Sequence, residues 1–323
     1  MILTVTLNTA VDKTLAVPNF RLGRRHRTVD QTTMPGGKGV NVARVLKTLG
    51  QPVIATGLAG GPTGTRIVEQ LTQMSVLSDF VRISEDSRTN TAVIDPTTGE
   101  QTEINERGPH VSEPEIELFV DKLLYLAKGA SLCVFAGSLP RNVEVEIYAR
   151  LIPELRRLGV ETVVDTDGDP LLRAVRAEPD VISPNVLEAE ELVGHEFNDH
   201  EDHMLAMAEL VELGAKEAIM TTPDGCYANL APPEPGAARS LYRVCLKEPI
   251  EARATVGSGD AFLAGFVAAH YGGRKPTDCL RYAVACGAES TRHLGAGLID
   301  PAEVERLLGQ VVIETPALPT GVS

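Results

Sequence analysis

Short apolar segments alternate with amphipathic helical patterns along most of this 323-residue chain. The apolar segments are rich in β-branched residues and do not alternate strictly with polar ones, which is typical of strands buried on both faces. They lie at 2–7, 52–58, 131–136, 160–165 and 217–221. Because such strands need helices on both sides of their sheet, the pattern predicts an α/β fold with a mostly parallel sheet.

The helical patterns have recognisable ends. Gly50, Gly159 and Gly214 each follow one of them, and glycine is the usual residue just beyond a helix. Another begins at Ser112-Glu113-Pro114-Glu115, which is a capping box. We therefore expect helices at 38–49, 112–128, 144–158 and 201–213.

Two segments interrupt this alternation, at 14–34 and 88–107. Both contain strand-like residues with no helix between them, and the second includes the turn signal Asp95-Pro96-Thr97-Thr98-Gly99. We expect them to supply the strands of a small sheet, a lid, on a single domain covering 1–323 with a loose tail at 315–323. Two surface hairpins without a function are the alternative.

The composition excludes several classes of partner. A formal net charge of −14, the absence of tryptophan and 4% aromatic residues argue against nucleic acid. The same charge argues against an anionic membrane surface. A phosphorylated substrate is repelled by this overall charge, so it would require a local cationic pocket.

We expect a cytoplasmic protein with reduced thiols. The first residues, MILTVTLNTAVDK, lack the pattern of a secretory leader, and no window has the apolar length of a membrane span. The five cysteines include no C-x-x-C pair, and the seven histidines show no metal-ligand spacing, so we expect no structural metal.

The segment Thr255-Val256-Gly257-Ser258-Gly259-Asp260 runs directly into an apolar helical pattern. We call it the anion corner, because a glycine-rich turn at a helix N-terminus directs N–H groups and the positive end of the helix dipole at one point. We expect the dipole to hold the pKa of Asp260 low. A carboxylate beside a bound anion is unfavourable unless it accepts a proton while the N–H groups neutralise a phosphoryl group in transfer.

Two further glycine clusters precede helical patterns. Pro35-Gly36-Gly37-Lys38-Gly39-Val40-Asn41 would let the backbone approach a ligand closely, but Lys38 is followed by glycine, so it is not a Walker A loop. The cluster at 57–64 lacks the G-x-G-x-x-G spacing of a dinucleotide site. Taken alone, either cluster is more typical of a tight turn.

Polar side chains follow several predicted strands. Asn8 and Asp12 follow the first one, where ligands of open α/β sheets bind, and Asp12 suits sugar hydroxyls unless it is an ordinary loop residue. Asn185 and Glu188 lie three positions apart, which suits a hydrated Mg²⁺. Taken alone, this pair is better explained as a helix cap.

In combination these motifs resemble the ribokinase/PfkB superfamily of carbohydrate kinases, in particular the branch of 1-phosphofructokinases and tagatose-6-phosphate kinases. The resemblance covers residues 1 to about 300 in order. Its motifs are Thr6–Asp12, Gly36–Arg44, Thr102–Asn105, Gly137–Pro140, Asp165-Thr166, Asn185–Glu188 and Gly257–Asp260. It implies a ribokinase-like three-layer fold with a mostly parallel central sheet and a small β-sheet lid.

The resemblance also implies roles for individual residues. It makes Asp260 the base for the acceptor hydroxyl, next to an anion hole at Gly257, Ser258 and Gly259. It implies a sugar site at Asp12, Gly37, Lys38 and Asn41, and a site for the phosphate already on the sugar at Arg88 and Ser138. It implies that ATP is held by Asn185, Glu188, Thr221 and Gly225, with Glu188 also holding Mg²⁺, through water.

The implied activity is ATP-dependent transfer of the γ-phosphoryl group to a primary hydroxyl of a ketohexose phosphate. Fructose 1-phosphate is the first expectation, with tagatose 6-phosphate and fructose 6-phosphate as alternatives. A kinase of an unphosphorylated sugar and a non-catalytic sugar-phosphate sensor are the remaining ones. The family further implies a homodimer joined through the lid.

The chain departs from the branch pattern in one place. Where a Ser-x-Gly-x-x-Gly run is usual, it has Met220-Thr221-Thr222-Pro223-Asp224-Gly225. Gly225 matches, and Thr221 or Thr222 would replace the missing hydroxyl, so nucleotide preference is the least determined property. Glu289, near the expected adenine pocket, has no assigned role.

Overall fold

The computed structural model describes residues 1–232 and 238–316. Its strands are β1 (Ile2–Thr6), β2 (Ala10–Ala16), β3 (Asp30–Gly36), β4 (Val53–Gly60), β5 (Leu77–Ile83), β6 (Arg88–Ile94), β7 (Gln101–Asn105), β8 (Leu132–Ala136), β9 (Glu161–Asp165), β10 (Val181–Ile182), β11 (Glu217–Thr222), β12 (Gly225–Leu230), β13 (Ser240–Leu246) and β14 (Val311–Glu314). Its helices are α1 (Lys38–Thr48), α2 (Gly61–Gln73), α3 (Glu113–Ala127), α4 (Ile147–Arg157), α5 (Gly168–Val175), α6 (Val186–Val193), α7 (His200–Glu212), α8 (Ser258–Tyr271), α9 (Pro276–Ser290) and α10 (Pro301–Leu308).

The main sheet has the order β14-β13-β12-β11-β10-β9-β8-β1-β4-β5. The seven strands from β11 to β5 run parallel, whereas β12, β13 and β14 are antiparallel additions at one edge. All five predicted strands are present, and the expectation of a mostly parallel sheet is confirmed. The antiparallel edge was not predicted from the sequence.

Helices cover both faces of this sheet. Adjacent residues of a strand point to opposite faces, so an apolar strand presents a buried surface on each side. In β8, Leu132 and Val134 join one buried cluster, while Cys133 and Phe135 join the other. The first cluster contains residues of α1, α2, α8, α9 and α10, and the second those of α3 to α7. The result is the three-layer arrangement that the resemblance implied.

The predicted helices form with small shifts at their ends. The capping box at Ser112 is present, with Glu115 Oε2 accepting from the Ser112 N–H at 2.8 Å. Helix α4 begins at Ile147 instead of residue 144, because a turn closed by Ile147 N–H and Glu144 O at 3.1 Å precedes it.

A second, four-stranded sheet has the order β3-β2-β6-β7, and we refer to it as the lid. Its strands lie mostly within the two segments that interrupt the alternation, although β2 begins before the first of them. Strand β2 begins at Ala10, so Asp12 lies within the lid and not in a loop. The stretch 17–29 contains no strand.

The five cysteines are free thiols, four of them buried. Residues 317–323 of the expected tail lie outside the described residues. Within the described ranges, none of the helices combines the length and the apolar character that crossing a bilayer demands.

Candidate active site

The candidate residues gather at the carboxyl ends of the parallel strands, where open α/β sheets bind their ligands. Asn8 follows β1, Ser138 follows β8, Asp165 ends β9 and Asn185 follows β10. These neighbouring strands bring to one edge of the sheet residues that are far apart in the chain. Helix α8 directs Asp260 into the same cleft.

The anion corner is a tight, glycine-rich turn at the start of α8. Gly257 has a φ of 76°, and a Cβ added there would lie 2.5 Å from the Cβ of Ala296, so this position requires glycine. The Ser258 N–H already donates to Thr255 O at 3.1 Å. Among the described residues no hydrogen bond uses the N–H groups of Gly257, Gly259 and Asp260, so these are the free donors of the corner. The N–H of Ser258, which was expected in the anion hole, is not among them.

Asp260 is 6% exposed. Its Oδ2 accepts a hydrogen bond from Asn41 Nδ2 at 2.8 Å. Burial raises the pKa of Asp260 to about 7, with the negative charges of Asp165 and Asp12 adding to burial and Lys38 and Asn41 opposing it. The expectation of a low pKa from the helix dipole is wrong, because desolvation of the carboxylate outweighs the dipole.

Lys38, the first residue of α1, bridges two carboxylates and lines the smaller cavity. Its Nζ lies 2.7 Å from Asp165 Oδ1 and 3.7 Å from Glu188 Oε1. Burial opposes the charged form, but these carboxylates together with Asp260 hold the pKa of Lys38 above its usual value. The side chain is 38% exposed, so a permanently charged ammonium faces the open cleft.

Asn185 and Glu188 form a capping box at the start of α6. Asn185 Oδ1 accepts from Glu188 N–H at 2.9 Å, and Glu188 Oε2 accepts from Asn185 N–H at 2.8 Å. Helix capping, the alternative explanation of this pair, is therefore observed. It leaves Glu188 Oε1 3.7 Å from Lys38 Nζ, while Glu188 itself lines neither cavity.

Two cavities meet at the anion corner. The larger has a volume of about 710 Å³ and apolar walls that include Ile250, Phe262 and Val284. The smaller has a volume of about 460 Å³ and lies between the corner and the lid. They share four lining residues, which are Asn185, Thr221, Ser258 and Gly259. A group bound at the corner is therefore accessible from both sides.

Asp12 lines the smaller cavity from the lid. Its Oδ1 accepts from Asn90 Nδ2 at 2.9 Å, and burial raises its pKa against the opposing effects of Asn90, the Gly37 N–H, Arg88 and Arg44. A Cβ at Gly36 would lie 1.9 Å from Asp12 Oδ2, so only glycine leaves room for this carboxylate.

Arg88 and Ser138 lie in the same cavity and are joined through Asn8. Arg88 Nε donates to Asn8 O at 3.3 Å and Arg88 Nη1 to Glu106 O at 3.0 Å. Asn8 Nδ2 donates to Ser138 Oγ at 3.2 Å. Burial lowers the pKa of Arg88, although Asp12, Asp167 and Glu106 oppose it.

The segment 220–225, which departs from the branch pattern, is divided between the buried core and the larger cavity. Met220 is fully buried, whereas Thr221, Thr222 and Gly225 line the larger cavity. Thr222 pairs with Gly225 across a two-residue hairpin turn. A Cβ at Gly225 would lie 2.0 Å from Val244 O, so the close approach of β13 requires glycine there, whatever the cavity binds.

Glu289 does not line either cavity. It is 1% exposed, and its carboxylate accepts from His293 Nε2 at 2.7 Å and from the Asp300 N–H at 3.0 Å. These bonds anchor the loop 291–300, whose Ala296 packs against Gly257. Glu289 thus supports the anion corner from behind.

Three contributors to the cleft had no role assigned from the sequence. Asp165 holds Lys38, Asn90 holds Asp12, and Asn8 joins Arg88 to Ser138. Asp165 and Asn8 carried one usable signal, their position at the end of a predicted strand. Nothing in the sequence linked Asn90 with Asp12.

Asp260→Asn is expected to stabilise the protein at pH 8. The pKa of Asp260 is about 7 in the folded state and lower when the chain unfolds, so the folded protein binds the extra proton between those values. The free energy of unfolding therefore falls as the pH rises through this window. A variant with asparagine does not lose this stability, because its side chain does not ionise. The unfolding temperature of the variant should exceed that of the wild type at pH 8, with a smaller difference at pH 5.

Asp169→Asn is the matched control, because Asp169 is exposed in the first turn of α5. It should leave the unfolding temperature nearly unchanged at both pH values. If Asp260→Asn unfolds at a lower temperature than the wild type at pH 8, the buried carboxylate does not destabilise the folded protein, and the prediction is wrong.

The chain matches known proteins over nearly all of its length. The model of the pfkB family carbohydrate kinases matches residues 5–303. A 1-phosphofructokinase of Borreliella burgdorferi is 32% identical over 315 residues, which are 97% of this chain and 98% of that protein.

Solved structures give the same result. A possible 1-phosphofructokinase of Thermotoga maritima superposes with a TM-score of 0.89 at 26% identity, covering 98% of this chain and 100% of that one. Phosphofructokinase-2 of Escherichia coli, in complex with substrates and products, gives a TM-score of 0.86 at 27% identity over 95% and 98% of the two chains. The chain is therefore a member of the pfkB family of carbohydrate kinases, a sugar-phosphate kinase that transfers a phosphoryl group to an alcohol.

Proposed function

We propose that this protein transfers the γ-phosphoryl group of ATP to the free primary hydroxyl of a ketohexose phosphate, with fructose 1-phosphate as the substrate and fructose 1,6-bisphosphate as the product. The observation that carries this proposal is the meeting of the two cavities at the anion corner. ATP would occupy the larger cavity, whose apolar walls suit a nucleobase, and the sugar the smaller one.

The residues of the corner would divide the work of transfer. Asp260 takes the proton of the acceptor hydroxyl, whose oxygen forms the new bond to the γ-phosphorus while the bond from that phosphorus to ADP breaks. The free N–H groups of Gly259 and Asp260 stabilise the negative charge on the group in transfer, with Gly257 shaping the turn. Lys38 adds a fixed positive charge within the smaller cavity.

A pKa of about 7 suits Asp260 as this base. A carboxyl group with an ordinary pKa is a weak proton acceptor, whereas one near neutral pH is both partly ionised and basic enough to accept. Burial, which costs stability, would thus serve the chemistry.

One oxygen of Glu188 lies outside the helix cap, which leaves it able to serve Mg²⁺ as a single protein ligand. The described residues contain no group of three or more histidine, cysteine or carboxylate side chains arranged for a metal. Mg²⁺ commonly keeps several waters and takes few protein ligands besides substrate phosphates. Glu188, through water, together with Asn185 would hold it, and it would neutralise charge on the ATP phosphates.

A phosphorylated acceptor is supported by Arg88. The chain carries a net charge of −14, so a sugar phosphate needs a local cation to enter. Arg88 supplies this cation inside the smaller cavity, and Asn8 holds it next to Ser138. Guanidinium groups bind phosphate through paired hydrogen bonds. Asp12, Gly37 and Asn41 would contact the sugar between this phosphate and Asp260.

Asp260→Asn should lower turnover by at least about 100-fold, since a positioned general base contributes on this scale. Binding of ATP and of fructose 1-phosphate, measured by calorimetry, should persist because asparagine preserves the shape. The control Asp169→Asn should keep wild-type turnover. Turnover within a few-fold of the wild type in Asp260→Asn would overturn the assignment of the base.

Arg88→Met should raise the KM for fructose 1-phosphate about 10- to 100-fold, the value of a charge-assisted hydrogen bond. The KM for plain fructose should barely change, because that sugar has no phosphate to lose. The assay compares fructose 1-phosphate, fructose 6-phosphate, tagatose 6-phosphate and fructose, with Arg82→Met, an exposed arginine of β5, as the control. Equal wild-type turnover of fructose and the sugar phosphates would contradict a phosphate site.

We also propose a homodimer joined through the lid. Strands β3 and β7 are the open edges of this sheet, and edge strands readily pair with another chain. Glu103 and Asn105 of β7 line the cavity, so Ile104, which is 62% exposed, lies on the outer face. Pairing through the edge strand β7 would cover this apolar side chain.

Ile104→Lys should therefore shift the protein from dimer to monomer in sedimentation velocity, since it places a charge on the proposed interface. Leu118→Lys is the control, because Leu118 is similarly exposed on α3, away from the lid. A monomeric wild type, or an Ile104→Lys variant as dimeric as the wild type, would rule out this interface.

A further inference from the structure

Arg44 is a buried charge that the reaction described so far does not use. It lies on α1, one turn after Asn41, and is only 5% exposed. Burial lowers its pKa to about 10, although the carboxylates of Asp12 and Asp260 oppose this. Its Nε has no hydrogen-bond partner in the described part of the chain. Burying a guanidinium whose hydrogen bonds are incomplete reduces the free energy of unfolding.

The guanidinium contacts three separate elements. Arg44 Nη1 donates to Asn41 Oδ1 at 3.3 Å, to Ala296 O at 3.0 Å and to Pro35 O at 3.3 Å. Arg44 Nη2 lies 2.9 Å from Met34 Sδ. It therefore joins α1 to the lid strand β3 and to the loop that packs behind the anion corner.

The contact with Asn41 determines which way its amide points. A guanidinium has only donors, so the amide must present its oxygen to Arg44. An ionised carboxylate has only acceptors, so the amide must present its nitrogen to Asp260. The structure has this arrangement, with Oδ1 on Arg44 and Nδ2 on Asp260 Oδ2 at 2.8 Å. If the amide were rotated by half a turn, its nitrogen would face the donors of Arg44 and its oxygen would face the acceptors of Asp260.

We propose that Arg44 is a positioning residue for proton transfer: it locks the Asn41 amide so that Asp260 Oδ2 is occupied and Oδ1 alone accepts the proton. The proposal rests on the proposed function of Asp260. Among the described residues no hydrogen bond reaches Asp260 Oδ1, which is the oxygen left for the acceptor hydroxyl. The proton moves from that hydroxyl to Oδ1, and the hydroxyl oxygen bonds to phosphorus as the bond to ADP breaks.

The fixed orientation of the Asn41 amide, which we call the lock, also predicts the direction in which the pKa of Asp260 changes when Arg44 is lost. With its orientation free, Asn41 can offer its oxygen to Asp260, which favours the protonated carboxyl. The other charged groups facing Asp260 are Lys38, Asp165 and Asp12. Arg44 itself interacts by charge with Asp260, so losing Arg44 would raise this pKa even without Asn41. The test must separate the two routes.

A double-mutant cycle of Arg44→Met and Asn41→Ala separates them. The readout is the pKa of Asp260, from the carboxyl ¹³C shift in protein labelled at aspartate, with the signal assigned by its loss in Asp260→Asn. This readout does not depend on turnover, so a protein without kinase activity would refute the proposed function and leave the lock testable. Where there is activity, the pH profile of kcat/KM gives a second value.

We expect Arg44→Met alone to raise the pKa of Asp260 by about one unit, which corresponds to a loss of about fivefold in kcat/KM at pH 7 and near-recovery at pH 9. In the Asn41→Ala background the same change should give less than about half that shift, since coupled residues are non-additive. Arg44→Lys, which keeps charge and donors, should restore most of the wild-type value.

Equal shifts in both backgrounds would show that Arg44 acts by charge alone and would overturn the proposal, as would an unmoved pKa in Arg44→Met. If Arg44→Met does not fold, Arg44→Gln replaces it in the cycle, because its neutral amide fills the space without enforcing one orientation of Asn41. Arg66→Met, an exposed arginine of α2, should leave the pKa of Asp260 unchanged.

Discussion

The cleft depends on one constraint, a carboxylate buried beside free backbone N–H donors at the start of α8. Burial brings the pKa of Asp260 to about 7, and the same turn leaves the N–H groups of Gly259 and Asp260 without partners. Much of the surrounding structure keeps this unfavourable arrangement in place. Gly257 makes the turn possible, and Glu289 anchors the loop that packs against it from behind.

Charge is distributed in the cleft so that two anionic ligands can approach each other on a strongly acidic protein. Lys38 is held between Asp165 and Glu188 on the main sheet, whereas Arg88 is held by Asn8 at the edge of the lid. Lys38 is thus positioned by a carboxylate at the end of a strand, and Arg88 by a backbone carbonyl just after one. In the proposed reaction one would serve the phosphoryl group in transfer and the other the phosphate already on the sugar.

Much of this was accessible from the sequence, for identifiable reasons. The parallel strands were predictable because burial on both faces imposes a recognisable composition, and the turn at Gly257 because only glycine tolerates its backbone. The bounds of the lid were less accurate, since β2 begins at Ala10 within a segment that has no helix or turn signal of its own. The antiparallel edge strands β12 to β14 were not predicted, because short and irregular apolar segments resemble loops in a sequence.

The sequence by itself determined the α/β class, the family and the anion corner, because strand burial, glycine requirements and helix starts are local properties. Only the tertiary structure decided the electrostatics. The pKa of Asp260 depends on burial and on Asp165, Asp12, Lys38 and Asn41, which lie far from it along the chain. The local rule, a helix dipole that lowers the pKa, had the wrong sign here because desolvation is a property of the whole fold.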